Sequence, residues 1–176
     1  MVIVLIVLII VAIPLVIALF VKKDYTVERE IKIDRPNQVV FDYIRYLKNH
    51  DNFNKWGKLD PHMIKQYYGS DGTAGFLSTW ESKKKNVGKG EQQIIKVSVP
   101  KSIELELRFI KPYPSIARVY MTTDSMSRNE TIVSWGIASK MNYPMNLMLL
   151  FNVQKVIGKD IEKGLEIIKQ QLENKL

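Results

Sequence analysis

Residue types that usually carry catalysis are scarce in this chain of 176 residues. It contains no Cys and two His, His50 and His62, both in polar stretches outside the strand-like segments. A Ser-His-Asp triad needs an oriented imidazole, and a zinc site needs several closely spaced His, Cys or carboxylate ligands. We therefore expect both histidines on the surface, and we expect no catalytic residue, no metal and no cofactor.

Other polar motifs are weak evidence of a functional site because of their local context. Residues 69–75 resemble a phosphate-binding loop, yet no Lys-Ser/Thr pair follows and the next segment is a strand, so we interpret them as a hairpin turn. Glu104 and Glu106 share the wet face of a predicted strand, where carboxylates are solvated. The same alternation directs Arg118 and Tyr120 outward from their strand.

Charge is distributed unevenly along the chain. All 26 Lys and Arg and all 18 Asp and Glu follow Val21, which gives the remainder a net charge of +8. A basic surface of this kind attracts anionic membranes or nucleic acids. Nucleic-acid binding also needs exposed aromatic residues, whereas the aromatic residues here fall within apolar strand faces. We expect an anionic membrane surface rather than a nucleic acid as a partner.

Residues 1–21 carry no charge and consist of Met, Val, Ile, Leu, Ala and Phe with one Pro. As a helix they would reach about 30 Å, the thickness of a bilayer's hydrocarbon core. We predict an uncleaved transmembrane helix followed by one domain, residues 24–176, placed on the cytoplasmic side because Lys22 and Lys23 follow the helix. A cleaved signal peptide and a buried core segment are the alternatives, but a basic start and an A-x-A cleavage site are both lacking.

The remainder has the pattern of an α+β domain. A strand at 25–33 precedes a helix that starts at Asp34-Arg35-Pro36, and a short helical or turn segment contains Phe53 and Trp56. Six strands follow at 63–68, 76–82, 91–99, 103–110, 116–124 and 131–141, spaced as in an antiparallel meander. From Pro144 to the end, apolar residues recur every three or four positions, which predicts one long amphipathic helix.

This order of elements, with several short phrases, resembles the START-like superfamily (SRPBCC), which includes polyketide cyclases/dehydrases, lipid-transport proteins and the major birch pollen allergen. The phrases are IKIDRP at 31–36 followed by VVF at 39–41, Trp56 before a turn, GKGE at 88–91, FIKP at 109–112 and TIVSW at 131–135. The resemblance implies a helix-grip fold, in which a curved seven-stranded antiparallel sheet wraps around the long C-terminal helix. It also implies an apolar cavity between sheet and helix.

The expected cavity residues are large, apolar and adaptable, as ligand sites generally are. They are Phe76, Trp80, Leu105, Leu107, Phe109, Val119, Met121, Trp135, Met145, Met148 and Phe151. The same residues would also build an ordinary filled core. Antiparallel order places loops 83–89, 111–115 and 142–144 at one end, where we expect the cavity mouth to face an anionic surface. The expected contacts are Lys22, Lys23, Lys83, Lys84, Lys85 and Lys89.

Three functions are compatible with these features. The first is membrane-anchored binding or transport of a lipid or other small hydrophobic ligand without catalysis. The second is a polyketide cyclase- or dehydratase-like enzyme, which would need polar groups such as Glu81, Arg118 or Tyr120 inside the cavity. The third is a ligand-free scaffold that recruits a partner to the membrane.

Overall fold

The computed structural model describes residues 2–174. Met1, Lys175 and Leu176, which the predicted segments included, lie outside the described residues. Seven strands form one sheet in the order β1-β7-β6-β5-β4-β3-β2, and every neighbouring pair is antiparallel. The strands are β1 Asp24–Ile33, β2 Ile64–Tyr68, β3 Leu77–Glu81, β4 Lys89–Ser98, β5 Ser102–Lys111, β6 Ser115–Ser127 and β7 Glu130–Lys140. The predicted α+β class and seven-stranded antiparallel sheet are confirmed.

Four α-helices accompany the sheet in the described chain: α1 Val2–Phe20, α2 Asn37–Ile44, α3 Leu47–Phe53 and α4 Val153–Glu173. Two 3-10 helices, Trp56–Lys58 and Met145–Phe151, follow α3 and precede α4. The long C-terminal helix is confirmed, but α4 begins at Val153 and not at Pro144. Asn152 has a left-handed backbone (φ 58°), which interrupts the helix and leaves Met145–Phe151 as a separate segment.

The predicted membrane anchor is not supported. Among residues 2–174, no helix is long and apolar enough to cross a membrane. This finding overturns the transmembrane helix at residues 1–21 and the single-pass placement on the cytoplasmic side. The prediction relied on the uncharged, apolar composition of the segment and on its length as a continuous helix.

The end of α1 is fastened to the 3-10 helix Met145–Phe151. Asn146 is fully buried, and its amide donates hydrogen bonds to the carbonyl oxygens of Ala18 (2.6 Å) and Val21 (2.9 Å). The last carbonyls of a helix have no partner within the helix, so a side-chain donor satisfies them. Ala18 is also fully buried at this contact. Asn146 therefore determines where α1 meets the sheet-and-helix domain.

The filled part of the core lies at the end of the sheet near α2. Ile103, Met121, Val133 and Ile168 are all fully buried there, together with Phe41 of α2. The C-terminal end of α4 is held at the same end, because the Arg35 guanidinium donates to the carbonyl oxygens of Leu172 and Glu173. Sheet, α2 and α4 thus enclose a continuous apolar cluster.

Close packing of α4 on the sheet depends on Gly164. A Cβ atom at this position would lie 2.5 Å from Cζ3 of Trp135, far inside van der Waals contact. Trp135 in turn meets Phe53 edge-to-face, with ring centroids 5.6 Å apart. The glycine therefore lets α4 and α3 share one aromatic contact on β7.

The loop between β2 and β3 positions α3. It is a turn, as predicted, with positive φ at Gly69, Gly72 and Gly75. The carboxylate of Asp71 accepts hydrogen bonds from the backbone N–H groups of Leu47 (2.8 Å) and Lys48 (3.1 Å). These donors belong to the first turn of α3, where no intrahelical acceptor exists. Asp71 of this loop thus caps the first turn of α3.

Candidate functional site

A cavity of about 670 Å³ lies between α3, α4 and the end of the sheet away from the filled core. Its floor consists of two rows of residues that are paired across neighbouring strands. The first row is Lys65, Trp80, Gly90, Phe109 and Ser115, and the second is Tyr67, Ser78, Gln92, Leu107, Ala117, Ser139 and Tyr25. Most members of both rows line the cavity.

Small side chains explain why this end of the sheet is not filled. The second row contains the small residues Ser78, Ala117 and Ser139. The next row toward the core contains larger residues, Ile94, Leu105 and Val119. Those three larger residues are buried in the core. Side chains of one sheet face must fill the space under the helix, so the three small residues of this row leave a void.

The aromatic wall of the cavity is formed by Trp80 and Phe109, whose rings meet edge-to-face at 5.9 Å. Trp80 lies over Gly90 on the neighbouring strand. A Cβ atom on Gly90 would stand 2.3 Å from Cζ2 of the indole, so only glycine permits this position. The indole Nε1–H donates to the Val87 carbonyl oxygen at 3.4 Å. The wall therefore presents aromatic surface to the cavity, while the polar Nε1–H group of Trp80 points to the loop that contains Val87.

The mouth opens among the loops that the sequence placed at one end of the sheet. Asn86, Tyr113 and Asn142 from these three loops line it, with Trp56, Tyr143, Met145 and Met148 nearby. Tyr113 is 72% exposed, and Trp56, Tyr143, Met145 and Met148 are each between 37% and 46% exposed. Exposed aromatic and Met side chains around an opening suit contact with an apolar molecule.

A first cluster of polar groups lies at the β2 edge of the cavity. The Lys65 ammonium donates to a carboxylate oxygen of Asp51 at 2.5 Å, and the Tyr67 hydroxyl donates to the other at 3.2 Å. Burial, followed by the neighbouring Asp51 carboxylate, raises the pKa of Tyr67 to about 12. Both oxygens of Asp51 are therefore occupied, and Tyr67 remains a hydroxyl donor at neutral pH.

A second polar pair lies at the opposite edge of the sheet. Tyr25 of β1 is paired in register with Ser139 of β7, and both line the cavity. Burial raises the pKa of Tyr25, while its hydrogen bond with the Ser139 side chain acts in the other direction. The Ser139 hydroxyl also donates to the Ile116 carbonyl oxygen at 2.8 Å. The cavity thus has a polar group at each edge of the sheet, with the apolar side chains of Trp80, Leu107 and Phe109 between them.

The expectation that both histidines lie on the surface is wrong for His50. His50 is only 4% exposed and borders the cavity, whereas His62 is exposed. Its Nε2–H donates to the Ile44 carbonyl oxygen at 2.7 Å, and its ring lies 4.9 Å from Phe53. Burial lowers the pKa of His50. The polar neighbours of His50 along the chain concealed the fact that α3 turns this position inward.

The structure separates the predicted cavity residues into three groups. Trp80, Leu107, Phe109, Met145 and Met148 line the cavity. Five others are buried in the filled core: Phe76, Leu105, Val119, Met121 and Trp135. Phe151 is 72% exposed at the end of its 3-10 helix. Sequence reasoning selected large residues and so overlooked the small and polar ones; a series of Ser and Ala at inward strand positions was the available signal.

The six lysines expected to contact an anionic surface lie near the mouth or beside α1. Lys22 and Lys23 are exposed in the segment between α1 and β1, and Lys83 and Lys85 are exposed in the loop after β3. Two are engaged by carboxylates: Lys84 lies 3.9 Å from Asp60, and Lys89 pairs with Glu81 at 2.9 Å. Their contact with an anionic surface stays a prediction.

The polar residues considered for an enzyme lie outside the cavity. Glu81 and Arg118 are exposed, and the Tyr120 hydroxyl donates to Glu28 on the outer face of the sheet. Within residues 2–174 there is also no group of three or more His, Asp or Glu that could hold a metal ion.

No protein-family model matches this sequence, and no curated protein matches it. Solved structures do match. Norcoclaurine synthase from Thalictrum flavum, in complex with dopamine and hydroxybenzaldehyde, aligns with a TM-score of 0.65 over 91% of this chain and 92% of its own, at 7% identity. Protein CV1439 from Chromobacterium violaceum gives 0.58 over 84% and 96%, at 10% identity. Protein Ms6760 from Mycobacterium smegmatis gives 0.55 over 86% and 92%, at 13% identity.

Identities this low establish the fold alone. All three neighbours are covered over more than nine-tenths of their own length, so the similarity extends to the whole domain and not to one motif. Together with the seven-stranded antiparallel sheet and the long C-terminal helix, they show that this chain has a helix-grip fold.

Proposed function

We propose that this protein binds a small hydrophobic molecule, such as a lipid, in the cavity between the sheet and α4. The observation that carries the proposal is the cavity itself, which the small residues Ser78, Ala117 and Ser139 leave open. Its size lies within the range of about 300–1,000 Å³ that is typical of small-molecule sites. Binding without chemistry is the simplest function for such a site.

The walls favour an apolar or amphipathic ligand. Trp80, Leu107 and Phe109 offer a continuous apolar face, and Met145 and Met148 can adapt to different ligand shapes. The fold neighbour norcoclaurine synthase was solved with two small molecules, dopamine and hydroxybenzaldehyde, which supports the view that this fold accommodates such ligands. The partly exposed rim gives an apolar molecule a route of entry.

A fluorescence titration with N-phenyl-1-naphthylamine, a neutral apolar probe, tests the proposal on the full chain. We expect saturable binding that is weakened at least about tenfold by Ala117→Trp, because the indole would occupy the cavity. The matched control is Ala138→Trp, which adds the same side chain on the opposite face of the neighbouring strand β7. Native mass spectrometry of the purified chain would then identify a molecule that co-purifies.

Ala138→Trp should bind the probe like the unsubstituted chain. Equal affinity of both tryptophan variants would mean that the probe binds elsewhere, for example on the exposed side chains of α1. That result, or the absence of saturable binding in a chain with unchanged circular dichroism, would contradict the proposal. It would instead favour a scaffold without a ligand.

A further inference from the structure

The charged groups around the cavity are few and unbalanced. Among the described residues, three charged side chains line it: Lys65, Lys140 and Asp51. His50 is neutral at pH 7 because burial lowers its pKa. Two ammonium groups and one carboxylate leave a formal charge of +1 on the lining. Such a lining attracts an acidic ligand and disfavours a basic one.

Lys65 is the cation that reaches inside. Its side chain is 22% exposed, whereas Lys140 is an exposed residue at the end of β7. Of its three N–H donors, one goes to Asp51 at 2.5 Å and one to the Gly57 carbonyl oxygen at 3.4 Å. Within the described part of the chain, this leaves a third donor for a group in the cavity.

Asp51 is less favourable as a partner for a basic ligand. Its two oxygens each accept a hydrogen bond, from Lys65 and from Tyr67. Each oxygen keeps a second lone pair, but a ligand ammonium bound there would lie beside the Lys65 ammonium, whereas a ligand carboxylate can accept the remaining N–H of Lys65 in a lining that holds two ammonium groups and one carboxylate. Charge-assisted hydrogen bonds of this type are about twice as strong as neutral ones.

We propose that the ligand is an amphipathic acid, whose carboxylate binds the Lys65 ammonium at the β2 edge while its apolar body lies along Trp80, Phe109 and Leu107. This inference rests on the proposed binding function and specifies the chemical class of the ligand. The row Lys65, Trp80, Gly90, Phe109 runs across four neighbouring strands, so an extended apolar chain can follow it from the ammonium across the sheet.

Displacement of N-phenyl-1-naphthylamine by two ligands with the same tail tests this assignment. We expect dodecanoate to displace the probe at about tenfold lower concentration than dodecanol. Lys65→Met should abolish that difference and leave the affinity for dodecanol within about twofold. Asp51→Asn removes the competing carboxylate and should retain or increase the preference for the acid. Lys96→Met, a lysine in an outer strand position paired with Glu104 at 3.8 Å, is the matched control and should change nothing.

The outcomes distinguish this inference from the proposed function. Equal affinity for dodecanoate and dodecanol, with both displacing the probe, would overturn the assignment of an acidic ligand and leave the binding function intact. An equal loss of both affinities in Lys65→Met would also overturn it, because Lys65 would then act only by holding β2 to α3 through Asp51. Failure of the probe and both amphiphiles to bind the unsubstituted chain would overturn the binding function and this inference together.

Discussion

Filling the cavity from its floor should stabilise the protein. Ala117 lines the cavity of about 670 Å³, although neighbouring side chains cover all but 2% of its own small surface. Ala117→Leu adds three carbon atoms to this face of β6. In a filled core such an insertion typically costs about 1–3 kcal/mol, because neighbouring side chains must leave their preferred rotamers. In open space that cost is absent.

The expected size of the effect follows from the same geometry. Each buried CH₂ contributes about 0.8 kcal/mol, so three carbons give at most about 2.4 kcal/mol. Ordering the leucine side chain costs about 0.5–1 kcal/mol, and the cavity covers the new group only partly. We therefore expect the free energy of unfolding to rise by about 1 kcal/mol, which corresponds to about 2–4 °C in Tm for a chain of this size.

Urea unfolding monitored by Trp fluorescence measures this change. The control is Val119→Phe, which enlarges the next inward residue on β6, in the filled core, and should lower the free energy of unfolding by about 1–3 kcal/mol. The structure requires that Ala117→Leu raise the free energy of unfolding and that Val119→Phe lower it. If Ala117→Leu destabilises the chain as much as Val119→Phe does, the space above Ala117 is not available and the reasoning is wrong.

Two further predictions concern residues outside the cavity floor. Burial lowers the pKa of His50 in the folded chain, so the unfolded chain binds a proton at His50 more readily. The free energy of unfolding should therefore decline as the pH falls below about 6.5. His50→Gln should remove the part of that decline seen between about pH 7.5 and 5.5. If urea titrations show that the free energy of unfolding changes equally with pH in both chains, the predicted contribution of His50 is wrong. Asn146→Ala should lose both hydrogen bonds to the end of α1, at a cost of about 1–3 kcal/mol, and should speed trypsin cleavage after Lys22 and Lys23. Asn129→Ala, in an exposed turn, is the control, and equal cleavage rates would show that Asn146 does not hold α1 in place.

The sequence determined the elements and their order. Alternation of Ile103, Leu105 and Leu107 with charged residues predicted β5, and the structure has this strand with those side chains on the inner face. Apolar residues three or four positions apart predicted α4, which contacts the sheet with Ile161, Leu165 and Ile168. These features depend on periodicity along the chain, which a sequence contains directly.

One limit of periodicity appears at the ends of elements and in α1. The apolar repeat continues through Leu150 and Val153, so it gave no sign that Asn152 would take a left-handed backbone and end the 3-10 helix. The absence of charge in residues 1–21 likewise suggested a membrane span, which no helix of the described chain provides. Neither the local backbone conformation nor the burial of Asn146 is encoded in hydropathy.

Only the tertiary structure decided which inward-facing residues fill the core and which surround a cavity. Leu105 and Leu107 are alike in type and face the same side of β5, yet Leu105 is in the core and Leu107 lines the cavity. The difference arises from their partners across the sheet, Val119 for the first and Ala117 for the second. Packing depends on the summed volume of side chains brought together from distant parts of the chain, and no single segment contains that sum.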